Sequence, residues 1–300
     1  MKETFIRGYR YFRLKNIEVW RDKNIWVTGV IMFLAMWEFA QPVRNIIAST
    51  GERATPYFFP FFMTDFIISM GLLKVLILFG YVYLNCCVQK VTDADRYLYF
   101  RISIRGYILG RIFSVWFWAF LYDCFILILS VIVIIPRIEW TTEWGRVITQ
   151  LAYKTGNLYF ADNALIIPAK VVECYSPAAA MIHQFLLFLL ACVCLGTLFL
   201  LFDFLFKRAQ AGIALQVFVI LLGPILYSLE NSTLIWFSPV SWMSLNNLYP
   251  AAKRINYHDR FPGLVYAYLM YILLIGILNV FVIYWGARSE WKAQVYHERR

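Results

Sequence analysis

Residues 178–206 read AAAMIHQFLLFLLACVCLGTLFLLFDFLF, with Asp203 the only Asp, Glu, Lys or Arg among them. About 20 apolar residues in succession cover the hydrocarbon of a bilayer as one α-helix, which pairs every backbone N–H and C=O within the segment. This stretch exceeds that length and predicts a transmembrane helix. Five others share its character, over residues 24–47, 58–87, 107–135, 212–229 and 264–287. The expectation is an all-α, polytopic membrane protein with six transmembrane helices and a single transmembrane domain covering residues 1–300. No internal repeat, low-complexity tract or soluble domain interrupts it.

Composition points the same way. The chain is 61% hydrophobic, 19% aromatic and 15% charged, with mean hydropathy +0.63. Soluble domains run at roughly 45–50% apolar and about 25% charged residues, so a water-facing globule would leave much of this surface uncovered.

The net charge is +10, and its placement sets the expected orientation. One set of segments (1–23, 90–111, 207–208 and 288–300) holds eighteen Lys and Arg, the opposite set nine. Basic residues accumulate on the cytoplasmic side. Both termini are therefore expected in the cytoplasm, with 1–23 and 288–300 as cytoplasmic ends around a span region 24–287. The basic residues alternate between loops rather than forming one patch, which argues against nucleic acid. The opening does not read as a cleavable signal peptide, since a full span follows a long charged stretch.

Four segments are more than plain spans. In the N-terminal segment Phe5, Tyr9, Phe12, Ile17 and Trp20 recur at near-helical spacing, with Arg7, Arg10, Arg13, Lys15 and Arg21 expected on the other side. That pattern predicts an amphipathic interfacial helix in contact with membrane lipids. In residues 88–105, Thr92 followed by Asp93 and Asp95 reads as a helix start, with acids placed where the helix dipole favours them. Residues 137–177 form a long polar loop containing Trp140, Trp144, Tyr153, Tyr159 and Phe160, expected to be ordered. Residues 230–262 hold an apolar piece broken by Pro239 and too short to span, including Trp236, Phe237 and Trp242. It is expected to be a re-entrant or interfacial segment on the outer side.

Glu38, Asp65, Lys74 and Asp123 are ionisable groups inside expected spans, each costly unless it faces protein or water. Lys74 and Asp123 are expected at similar depth and to pair. Asp203, at a span end, is expected to have no special role. Of the six cysteines only Cys174 is expected outside, so no disulfide framework is expected. The three histidines, His183, His258 and His297, fall in different segments and give no metal-ligand pattern. Neither a phosphate-cradling Gly-x-x-x-x-Gly-Lys-Ser/Thr loop nor a Gly-x-Ser-x-Gly elbow is present. The chain is therefore not expected to be an enzyme by itself.

The layout resembles the permease subunit of type-2 ABC exporters: a basic amphipathic N-terminal helix, six spans, a short cytoplasmic helix after the second and a broken apolar segment before the last. Its most recognisable piece is Phe237-Ser-Pro-Val-Ser-Trp-Met-Ser-Leu245. The resemblance implies a dimer with a second permease copy or paralogue, driven by separate soluble ATPase subunits that would hold the ATP and magnesium. It implies that Thr92, Asp93, Asp95, Arg96, Tyr97, Arg101 and Arg105 form the ATPase-coupling helix, beside the helix carrying Phe5, Tyr9, Phe12 and Trp20. It also implies that the segment with Trp236, Phe237, Pro239 and Trp242 helps close the outer end of the pathway. An ATP-independent membrane protein, either a secondary carrier or an intramembrane enzyme, is the alternative.

Overall fold

A computed structural model describes residues 2–64, 72–91, 102–135, 137–153, 167–206, 209–228, 232–252 and 261–297. The order is α1 (Lys2–Trp20), α2 (Lys23–Phe39), α3 (Gln41–Thr50), α4 (Phe59–Phe62), α5 (Leu72–Gln89) and α6 (Ile104–Ile132). There follow α7 (Gly145–Tyr153), α8 (Ala169–Cys174), α9 (Pro177–Phe206), α10 (Ala209–Ser228), α11 (Ser232–Ile235), α12 (Pro239–Trp242), a 3₁₀ turn (Leu245–Asn247) and α13 (Leu264–His297). Among the described residues no strand forms; Ala54 with Ile138 and Tyr249 with Gly263 make isolated bridges.

Five helices are long and apolar enough to cross a membrane: α5, α6, α9, residues Ala209–Leu226 of α10 and Leu264–Arg288 of α13. The stretch 24–47, expected as one span, is instead two helices. α2 has 17 residues and ends at Ala40, whose N–H turns back to Met36 and Glu38. At about 1.5 Å per residue it falls short of the ~30 Å hydrocarbon core. Pro42 is the cause: inside a continuous helix it would lack the N–H for the Glu38 carbonyl and its ring would strike that carbonyl. At the start of α3 it costs nothing. The expected span 58–87 is likewise divided, into the short α4 and the long α5.

α9 is the centre, packed by α5, α6, α10 and α13. Its apolar residues run all round, as a helix surrounded by other helices requires. Only a minority of the residues along the apolar lengths of α10 and α13 is buried; Phe218 and Ile225 on α10, and Val265, Leu269, Ile272 and Val280 on α13, face outward. An apolar surface of that extent is stable against acyl chains and not against water.

α1 packs along the first half of α6. Gly8 and Gly110 allow it, since a Cβ on Gly110 would stand 2.8 Å from the Gly8 carbonyl oxygen. Phe5 meets Phe113, Phe12 meets Phe117, and the Trp118 indole donates to Asn16 at 2.8 Å. The buried stripe is Gly8, Tyr11, Lys15 and Val19, so the expected division into apolar and basic sides is corrected. Lys15 lies inside, donating to the Lys90 carbonyl at 2.8 Å. Arg10 and Arg13 share the exposed side with Tyr9 and Ile17.

The described parts of the long loop are ordered. Thr55 donates to the Trp144 carbonyl at 2.8 Å, Tyr57 to Thr141 at 2.7 Å, and the Trp144 indole to Tyr175 at 3.0 Å. This cap covers the end of the bundle where α9 begins. Residues 154–166 lie outside the described residues.

Candidate functional site

Three groups of buried polar side chains sit along the bundle, where apolar lipid and helix surfaces offer them nothing else. Each has a different structural meaning.

The first is a plug at the cap end, made by residues 238–248 between α10 and α13. Pro239 has no N–H and starts a four-residue helix that ends at once, so the backbone is left with carbonyls that need donors. Side chains from two long helices supply them, and a third helix bonds a plug side chain. Gln184 of α9 donates to Met243 at 2.8 Å, Tyr271 of α13 donates to Pro239, and Tyr266 of α13 donates to Trp236 at 2.8 Å. Lys74 of α5 donates to the Ser244 hydroxyl at 2.8 Å, and that hydroxyl donates to the Met63 carbonyl. Inside the plug the Trp242 indole donates to Ile235 at 2.8 Å and Asn247 to Ser241 at 3.2 Å. Trp242 is also ringed by Tyr266 and Tyr271. Phe237 alone points away, 79% exposed.

The second is a clamp at the far end. Arg111 of α6, 3% exposed, donates to the Gln89 side-chain oxygen and carbonyl, each at 3.0 Å, and to Asp203 at 2.8 Å. One guanidinium thereby joins the ends of α5, α6 and α9, its planar fork meeting several acceptors as an ammonium could not. Arg111 does not lie in a loop as its place among the cytoplasmic cations implied, and Asp203 has a role that its position at a span end did not disclose. Next to the clamp, Ser103 caps α6 by accepting the Gly106 N–H, with φ +48. Arg105, the described end of the expected coupling helix, is exposed in the first turn of α6. Thr92, Asp93, Asp95, Arg96, Tyr97 and Arg101 lie outside the described residues.

The third is Asp123, 0% exposed in the middle of α6, with no hydrogen-bond partner at either carboxylate oxygen among the described residues. The expected ion pair with Lys74 is not made; Lys74 reaches the plug instead. Glu38 is exposed at the end of α2, and Asp65 lies outside the described residues. A carboxyl so placed contributes cost rather than stability. Asp123→Asn, which keeps the shape and removes the ionisable group, is expected to fold and to melt at or above the wild-type midpoint. A fall of several degrees would show that the carboxyl holds an interaction the fold depends on.

Ser244→Ala tests the plug. It leaves the Met63 carbonyl without this donor and the Lys74 ammonium without this acceptor, a loss of roughly 1–3 kcal/mol. Limited proteolysis between α10 and α13 is expected to become faster, while the far end keeps its wild-type pattern.

Of the residues singled out in the sequence, Lys74, Trp236, Pro239 and Trp242 come together; Asp123 and Glu38 stand apart from them. The contributions of Gln184, Ser244, Tyr266 and Tyr271 were not foreseen. Gln184 carried the one available signal, a primary amide inside the most apolar stretch of the chain. The fold and these sites define a helical, multi-pass membrane protein. Compared with protein-family models, with curated proteins and with solved structures, the chain gives no significant match.

Proposed function

We propose that the chain is the permease subunit of an ATP-driven exporter of the type-2 ABC kind, in the cell membrane with both termini cytoplasmic. It pairs with a second permease and takes its power from separate soluble ATPase subunits, which hold ATP and magnesium. The cargo is amphipathic or hydrophobic, in keeping with the scarcity of charge on the long helices.

The observation that carries this reading is the plug. A segment of short helical turns between α10 and the last long helix takes side-chain donors from α5, α9 and α13. In this reading it closes the outer end of a pathway between those helices and opens when they separate as rigid bodies. At the other end, Arg111 and Lys15 grip Gln89 and Lys90, immediately before the residues assigned to coupling. The first span of the six-span topology is assigned to α2 with α3, bent at Pro42.

The test is purification from the native membrane in mild detergent, with mass spectrometry of whatever accompanies the chain. An equimolar soluble subunit with a phosphate-binding loop is expected, lost when Asp95, Arg96 and Arg101 are replaced together. An intact protein without any ATPase would overturn the reading. Asp123 would then favour the ATP-independent alternative, since an unpartnered intramembrane carboxyl is a common element of ion-coupled carriers.

A further inference from the structure

The face of α1 turned away from α6 carries exposed side chains, with Trp20 at its edge against Trp118 of α6, ring centroids 5.1 Å apart. Gly8, Tyr11, Lys15 and Val19 are buried, while Ile6, Tyr9, Leu14, Ile17 and Trp20 are exposed. Arg10 and Arg13 are interleaved with these and Arg21 follows one residue past the helix end, all exposed and none ion-paired among the described residues. The nearby acids are engaged elsewhere: Glu18 pairs with Lys15 at 3.2 Å, and Asp22 caps α2 by accepting the Asn24 N–H. The face thus presents three uncompensated guanidinium groups among large apolar side chains.

Its neighbour fixes what covers it. Trp20 packs against Trp26, and from Trp26 the exposed apolar surface continues along α2 through Val30, Ile31 and Leu34. One continuous surface therefore runs from the apolar wall of α2 onto α1, gaining cations where the wall ends. That is the profile of a bilayer crossed from its acyl region to its phosphates.

We propose that the exposed face of α1 is a binding surface for anionic phospholipid. Arg10, Arg13 and Arg21 take headgroup phosphates, and Tyr9, Ile17 and Trp20 enter the boundary with the acyl chains. A guanidinium fork matches two phosphate oxygens, and its alkyl stem lies along the apolar boundary while the charge reaches the phosphate plane. Because α1 is locked to α6 at Gly8 and Gly110, the lipid so held also fixes the end of α6 next to the Arg111 clamp. The inference needs only a membrane and stands whether or not the chain belongs to an exporter.

The full chain is reconstituted in nanodiscs of phosphatidylcholine alone or with phosphatidylglycerol, and retained lipid is counted by native mass spectrometry beside the thermal midpoint. Wild type is expected to retain phosphatidylglycerol selectively and to melt higher with it. Each arginine near an anionic surface is worth roughly fivefold, so Arg10→Gln/Arg13→Gln/Arg21→Gln should lower the preference on the order of a hundredfold. Its midpoint in phosphatidylcholine should match wild type. Salt supplies a second measurement that needs no variant, since the wild-type preference must fall steeply as ionic strength rises. An equal preference in the triple variant, a salt-independent preference, or the same stabilisation from inorganic phosphate in phosphatidylcholine discs would each overturn the proposal.

Discussion

Arg111→Met is expected to cause the largest loss of stability of any single change considered. It removes the donor that Asp203 and Gln89 share and leaves a partly buried carboxylate facing apolar side chains. Breaking a buried pair from one side costs about 3–5 kcal/mol, because the remaining charge is stranded. The guanidinium also lies over the Phe204 ring at 5.0 Å, so packing is lost with the charge. Arg111→Lys should fall between, since an ammonium keeps the charge but cannot reach all the acceptors at once. Arg111→Met/Asp203→Leu should recover much of the loss, because no charge is then left unpaired. The thermal midpoint of the detergent-purified protein, followed by size-exclusion chromatography, measures all three. A wild-type midpoint for Arg111→Met would show that the clamp holds nothing together.

Gly110→Leu is expected to have the second largest effect and a different signature. Alone on a helix, either alanine or leucine would be favoured over glycine by up to about 1 kcal/mol. Here even the first added carbon would stand 2.5 Å from the Tyr11 ring and 2.8 Å from the Gly8 backbone oxygen. A ring can turn aside, but the backbone of α1 can only move away. Overpacking of this kind costs roughly 1–3 kcal/mol for a small excess and more for a large one. Gly110→Ala should therefore be mildly destabilised and Gly110→Leu severely. In the latter α1 should lift from α6, exposing Lys15 to trypsin while the plug and cap keep their wild-type cleavage pattern. Cleavage at Lys15 no faster than in wild type would mean that α1 is held by something other than the glycine contact.

The two predictions concern contacts of unequal legibility. Gly8 and Gly110 are visible as glycines in helical stretches, yet only the crossing of α1 over α6 shows that they face each other. Arg111 and Asp203 lie 92 residues apart in the chain, and each read naturally as an ordinary charge near the end of a span. Lys74 illustrates the same difficulty. Depth along a helix put it near Asp123, but depth says nothing about the direction in which a side chain leaves its helix. Lys74 turns to Ser244, and neither carboxylate oxygen of Asp123 makes a hydrogen bond among the described residues. Pro42 is the opposite case, a breaker plainly visible inside an apolar run, and the break follows from its missing N–H.

The sequence by itself determined the class of this protein and roughly where its five long helices lie, but not the division of 24–47 at Pro42 or of 58–87 into α4 and α5. The class and the long helices follow from the length of apolar runs and from the need to pair every backbone group inside lipid, both local properties. It also marked the apolar piece within residues 230–262 as too short, and too broken by Pro239, to cross a membrane. Only the tertiary structure decided which polar groups meet: the Lys74, Gln184 and Tyr271 donors on the plug, the Arg111 clamp, and the face of α1 left for lipid. Such meetings depend on the rotation of each helix about its axis. In a chain whose long helices are apolar nearly all round, the hydrophobic pattern leaves that rotation unspecified, and packing settles it.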